Sequence, residues 1–102
     1  MSILQVGGVQ IDRDQKTVTR DGTVIALSAK EYSMLEFMAS NAGAVVTRAQ
    51  INEHVWGNVN PQSNVVDVYV GYLRNKLDKP FPTALIKSVR GQGYIFAQSP
   101  TA

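Results

Sequence analysis

The stretch SAKE, residues 28–31, marks a change of period that limits what this chain can fold into. Ser28 followed three residues later by Glu31 is a capping box. The serine hydroxyl accepts from an amide of the first helical turn, and the glutamate reaches back to the cap amide. Upstream, short β-prone pieces alternate with turn signals. LQV (Leu4–Val6), VQI (Val9–Ile11), TVTR (Thr17–Arg20) and TVIAL (Thr23–Leu27) are divided by Gly7-Gly8, Asp12–Gln15 and Asp21-Gly22. An Asp-Gly pair between two such runs signals a tight hairpin, so a small antiparallel sheet of about four strands is expected.

Downstream the period is helical. Met34, Leu35, Met38 and Ala42 fall on one helical face, and Asn41 with Gly43 marks the end. A second capping box spans Thr47 to Gln50, with Ile51 and Val55 facing inward and Gly57 stopping the helix after Trp56. GNVNPQS, residues 57–63, is a loop by composition. A third helix is expected from Ser63 or Asn64 to about Asp78, with Asp67 in its first turns complementing the dipole. Lys79, Pro80, Phe81 and Pro82 then break it. The last element, IKSVRGQGYIF at 86–96, reads as two short strands joined through Gly91–Gly93, where the glycines permit a tight tip. The tail QSPTA is expected to fray.

There is no internal repeat or linker, and 102 residues suit one domain, with about 4–97 ordered. The order of elements gives an α+β fold: a four-stranded antiparallel sheet, three helices and a C-terminal hairpin. The second and third helices form a helix-turn-helix-like pair, and a hairpin after such a pair is the wing of a winged helix.

Composition narrows the function. The absence of cysteine excludes disulfides, thiolate metal sites and thiol nucleophiles, and is compatible with a reducing cytosol. No apolar run approaches a membrane span and no signal peptide opens the chain. The net charge of +2 is unevenly placed. Residues 1–56 carry five Lys/Arg against six Asp/Glu, while residues 57–102 carry five against two. That C-terminal half favours an anionic partner, although a small excess is also what a solvated surface looks like. His54 has no second His or Cys near it, so it reads as a surface or boundary residue and not a metal ligand. Ser28 and Thr47 are caps rather than nucleophiles. No catalytic residue, metal or cofactor is expected.

The third helix has two faces. Val66, Val70, Leu73 and Leu77 make a core stripe. Opposite lie Asn64, Val68, Gly71 and Asn75, flanked by Val65, Tyr69 and Tyr72. A solvated face would carry more Lys and Glu, and Gly71 costs roughly 1 kcal/mol relative to alanine inside a helix. Either the domain covers this face itself, or the face meets a partner. On DNA, valine touches thymine methyls, asparagine reads adenine edges and tyrosine hydroxyls reach phosphates.

Taken together, LSAKEYSMLEFMASNAG, TRAQINEHVWG, NVVDVYVGYLRNKL and IKSVRGQGYIF resemble, in order and spacing, the OmpR/PhoB-type winged-helix effector domain of bacterial two-component response regulators. The likeness runs from about Leu4 to Phe96. It implies sequence-specific binding to double-stranded DNA, with a recognition helix at about 64–78 in the major groove and a wing at about 85–97 in the minor groove. Its DNA-facing positions fall on Asn64, Val65, Val68, Tyr69 and Tyr72, its phosphate-side arginine on Arg74, and its wing arginine on Arg90. The loop Gly57, Asn58, Val59, Asn60, Pro61, Gln62 and Ser63 matches the segment with which family activators are thought to touch RNA polymerase. Many members are basic at the positions of Gly71 and Tyr72. This chain is not, so base preference should lean on methyl and shape readout.

Arg48, Lys76, Lys87 and Ser88 join Arg74 as plausible phosphate contacts, Arg48 because it opens a helix whose free amides also suit an anion, although a solvated charge fits that position equally well. Trp56 reads as helix-end packing. Arg90 beside the glycine turn suits a minor groove narrow enough to concentrate negative potential. The resemblance further implies a cytoplasmic bacterial protein, nucleoid-associated when bound, that forms head-to-tail homodimers on direct repeats. It also implies a receiver domain, with a sensor kinase as partner, outside this sequence. A different class of function stays open at this point: a winged helix that docks a protein through the apolar outer face of its third helix.

Overall fold

The computed structural model describes residues 3–57, 64–81 and 84–96. Four strands, β1 (Ile3–Val6), β2 (Val9–Asp12), β3 (Thr17–Arg20) and β4 (Thr23–Ile25), form an antiparallel meander in chain order. At the last hairpin Arg20 pairs with Thr23. Between them Asp21 and Gly22 both take positive φ, at 51° and 83°, which a two-residue loop needs to match strand twist. Alternation does the rest: Val9, Ile11 and Val18 are buried while Gln10 is exposed.

Helix α1 (Ala29–Ser40) starts at the expected box. Glu31 N–H donates to Ser28 Oγ at 3.2 Å and Ser28 N–H donates to Glu31 Oε1 at 2.9 Å. Met34, Leu35 and Met38 are fully buried. Ala42, expected on the same face, is exposed instead. The helix stops at the Asn41 cap, so Ala42 has left the helical spiral, and Ala39 takes the inward place. Helix α2 (Arg48–Trp56) opens on the second box and closes at Gly57 in the left-handed region, with Ile51 and Val55 buried. Helix α3 (Val65–Leu73) buries Val66, Val70 and Leu73.

Three features depart from the expected plan. First, α3 reaches Asp78, but its last turn, Arg74–Asp78, is π-helical, with Lys79 N–H donating to Arg74 O at 2.9 Å. The wider turn brings Leu77 and Asp78 both to the interior. Second, the wing is a three-stranded sheet. Between α1 and α2 lies β5 (Val45–Thr47), which pairs with β7 (Gly93–Phe96), itself paired with β6 (Ile86–Val89). Third, the two wing glycines have different jobs. Gly91 sits in the tip with φ 74°. Gly93 is in β7, where an added Cβ would lie 2.1 Å from Val46 O and 2.9 Å from Thr47 Cα. It is small because β5 crosses it.

A buried ion pair closes the domain. Arg20, 2% exposed, donates from Nη1 to Leu77 O at 2.6 Å and to Asp78 Oδ1 at 3.2 Å, with its guanidinium 4.7 Å from the Phe81 ring centroid. Asp78 also accepts the amides of Leu85 (3.1 Å) and Ile86 (3.2 Å). The expected loop at 58–63, the start at Ser63, the break at Pro82 and the fraying tail lie outside the described residues.

Removing the carboxylate by Asp78→Ala should leave Arg20 charged and buried beside apolar groups, costing about 3–5 kcal/mol in urea unfolding. Gly93→Ala should cost about 2 kcal/mol or more, because backbone, not a flexible side chain, occupies the space.

Candidate nucleic-acid interface

Helix α3 leaves its second face uncovered. Val68 is 38% and Tyr72 46% exposed, and Asn64 and Asn75 are exposed with them. A Cβ added at Gly71 would meet nothing within 4 Å. The fold interior therefore does not require glycine there, and its cost to the helix is not repaid by packing. Among the described residues, nothing covers this side of α3. Two of the five residues expected on the base-facing side are less accessible. Val65 and Tyr69 are half-buried and pack against the core.

Tyr69 is braced. Its ring meets Trp56 edge-to-face at 5.1 Å and Tyr72 at 5.2 Å. Trp56, half-buried at the end of α2, thus packs as expected, and it does so by fixing an aromatic series that ends on the exposed Tyr72.

The cations are placed unevenly. Arg48 opens α2 and turns toward the first turn of α3, where its Nε donates to Asp67 Oδ1 at 2.8 Å. Asp67 also accepts a hydrogen bond from the Tyr94 hydroxyl. That hydroxyl, and then Arg48, hold the Asp67 carboxyl below its usual range. Burial, and then the bond to Asp67, pushes the Tyr94 hydroxyl up. The bond to Asp67 likewise raises Arg48. The Tyr94 ring receives both arginines, Arg48 at 5.1 Å and Arg74 at 5.7 Å from its centroid.

Arg74, at the start of the π turn, crosses to the wing, donating to Ile86 O at 3.3 Å and from Nη2 to Ser88 Oγ at 2.9 Å. Lys76 points elsewhere. Its Nζ donates to Glu31 Oε1 at 2.7 Å. Burial opposes the charge of Glu31, but bonds from Lys76 and the Ser28 amide hold its carboxyl below the usual value. Lys87 and Arg90 are exposed on the wing, Arg90 in the turn closed by Gln92 N–H on Val89 O at 3.0 Å.

The structure thus brings together Arg48, Arg74 and Ser88, and sets Lys76 apart against α1. Of the loop Gly57–Ser63, Gly57 is described, as the α2 cap, and residues 58–63 lie outside the described residues. Sequence reasoning missed Tyr94 and gave Asp67 only its dipole role. The available signal was a lone tyrosine after the wing glycines and a lone acid in an otherwise uncharged first turn. His54, exposed, stacks on Phe37 at 4.4 Å, the surface position expected of it. No helix among the described residues is long and apolar enough to cross a membrane.

The family model described as "Transcriptional regulatory protein, C terminal" matches residues 22–96. The chain is 46% identical over 95 residues to the response regulator ArlR of Staphylococcus aureus, covering 91% of this chain and 43% of that protein. It is 41% identical over 96 residues to the transcriptional regulatory protein HprR of Escherichia coli, covering 93% and 43%. The chain therefore spans less than half the length of these relatives. The RstA DNA-binding domain of Klebsiella pneumoniae, solved in complex with the RstA box, superposes with a TM-score of 0.86 at 31% identity, covering 97% of this chain and all of that one. On these matches the chain belongs to the transcriptional regulatory protein C-terminal family, the OmpR/PhoB-type winged-helix effector domains of response regulators.

Proposed function

We propose that this domain binds specific double-stranded DNA to regulate transcription, with α3 in the major groove and the wing against the minor groove. The observation that carries this reading is the convergence at Tyr94. There the start of α2, the first turn of α3, the end of α3 and the wing meet through Arg48, Asp67 and Arg74. Two cations, Arg48 from α2 and Arg74 from the end of α3, border an exposed helix face of small and aromatic side chains. Such a border suits phosphates on either side of a groove, while Val68, Asn64 and Tyr72 suit base edges. The relative solved on its RstA box has the same fold over nearly the whole chain.

On this reading Arg48, Arg74, Ser88 and Lys87 hold phosphates, Arg90 enters the minor groove, and Lys76 contributes least because it turns to Glu31 on α1 and stands outside the group around Tyr94. Two copies sit head-to-tail on direct repeats. The Gly57–Ser63 loop faces RNA polymerase, and a receiver domain with its sensor kinase controls the whole bacterial protein. An isolated domain then binds weakly as a monomer. Docking of a protein on α3 is the competing reading, favoured by the exposure of Val68 and Tyr72.

Salt separates the two. Log affinity for duplex DNA should fall linearly with log salt, with a slope of about −0.9 per phosphate contact. A flat response from low to moderate salt would transfer support to the protein-docking reading.

Readout should divide between helix and wing. Val68→Ala should lower preference at one or two base positions, most plainly thymines. Arg90→Ala should lose affinity and selectivity only in an A·T-rich flank. Both side chains are exposed, so circular dichroism should be unchanged. Equal binding of Arg90→Ala and wild type across a panel of single-base variants would make Arg90 a soluble turn residue.

Arrangement is tested by spacing. Half-sites about one helical turn apart, roughly 10–10.5 bp, should bind two copies cooperatively. Inserting half a turn should abolish that cooperativity.

A further inference from the structure

Asp67 is a puzzle on a surface read as phosphate-binding. It is a carboxylate, its side chain is 44% exposed, and it stands beside Arg48 on the first turn of α3. By charge alone it weakens the attraction of any polyanion to this face. Beyond complementing the dipole of α3, it acts through what it holds. It holds two groups: Arg48 through Nε, and the hydroxyl of Tyr94. Tyr94 is itself 4% exposed and is anchored in the middle strand of the wing sheet, so the carboxylate is fixed by a buried side chain and fixes an exposed one in turn.

The details fit a holder rather than a simple neutralising pair. The bond to Asp67 uses Nε of Arg48, and the opposite end of the guanidinium carries the two terminal nitrogens that a phosphate would take as a fork. The Tyr94 ring lies under Arg48 and under Arg74, which the wing holds through Ser88 and Ile86. An arginine at the start of an exposed helix otherwise samples many rotamers, and ordering it on binding costs affinity.

We propose that Asp67 and Tyr94 are positioning residues that hold Arg48 and Arg74 as one preformed phosphate clamp, favouring specific over non-specific DNA. The proposal rests on the DNA-binding reading above. It assigns the selectivity cost or gain at this face to two residues that contact no DNA themselves.

The test uses the whole chain and two duplexes: one selected by this protein from a random pool, and a scrambled duplex of equal length. Asp67→Asn removes a negative charge, so charge alone predicts tighter binding to both. Positioning predicts tighter binding to the scrambled duplex but about fivefold weaker binding to the selected one, within the range for residues sharing one network. Tyr94→Phe keeps charge and ring and removes the hydroxyl. It should weaken selected-site binding in the wild-type background and have little further effect when Arg48→Ala is already present. Arg48→Ala alone should reduce the salt slope by about 0.9. Melting temperatures of all variants serve as the folding control. Equal tightening of both duplexes by Asp67→Asn would overturn the proposal, as would an equal loss from Tyr94→Phe in both backgrounds. If wild type itself shows no salt-dependent binding, the functional reading fails first, and that result is distinguishable from either of these.

Discussion

The carboxylate of Asp78 is the interaction on which the arrangement of this domain depends. Its oxygens accept the guanidinium of Arg20 from the N-terminal sheet and the amides of Leu85 and Ile86 at the entry to the wing. Asp78 itself ends α3. One buried group therefore fixes the mutual position of sheet, helix and wing. Burying a charge is expensive, and it is tolerated when paired and hydrogen-bonded on several sides, as here. Any alternative packing that separated these groups would strand a buried charge or an amide.

The π turn belongs to the same device. Five residues share one wider turn, so Leu77 fills the core while Asp78 still reaches Arg20. Arg74 stands at its opening, and from there its guanidinium reaches Ser88 across the gap to the wing. The interior and the outer surface are thus linked. The non-α end of the helix both buries Asp78 and aims Arg74.

The outer surface uses few charges and spends most of them on order. Arg48 is held by Asp67, Arg74 by the wing, and Lys76 by Glu31. A strongly basic face would bind any polyanion tightly. This one combines modest charge with side chains already in place and with a helix face of valine, glycine, asparagine and tyrosine. On the proposed DNA-binding reading, that balance suits discrimination more than raw attraction, since preordered contacts lose less entropy on binding while matched and mismatched sites feel the same long-range field.

Much of the fold was legible in the sequence because it is set locally. Both capping boxes, the Asp21-Gly22 hairpin and the Val66, Val70, Leu73 and Leu77 stripe each follow from residues within a few positions of one another. The four strands, three helices and wing follow from these. Strand β5 was legible in principle, as a β-branched run between Gly43 and the second box. Its three residues are too short to signal a strand until β7 is there to pair with them. The exposed face of α3 was also readable, but whether it stayed exposed was not. What only the tertiary structure decided are the pairings across distance. Arg20 and Asp78 are 58 residues apart, and Tyr94 and Asp67 are 27 apart. The sequence by itself determined which elements form, because caps, turns and periodicity act through neighbouring atoms. It left open which charges meet and which cations are held, because those depend on how finished elements pack.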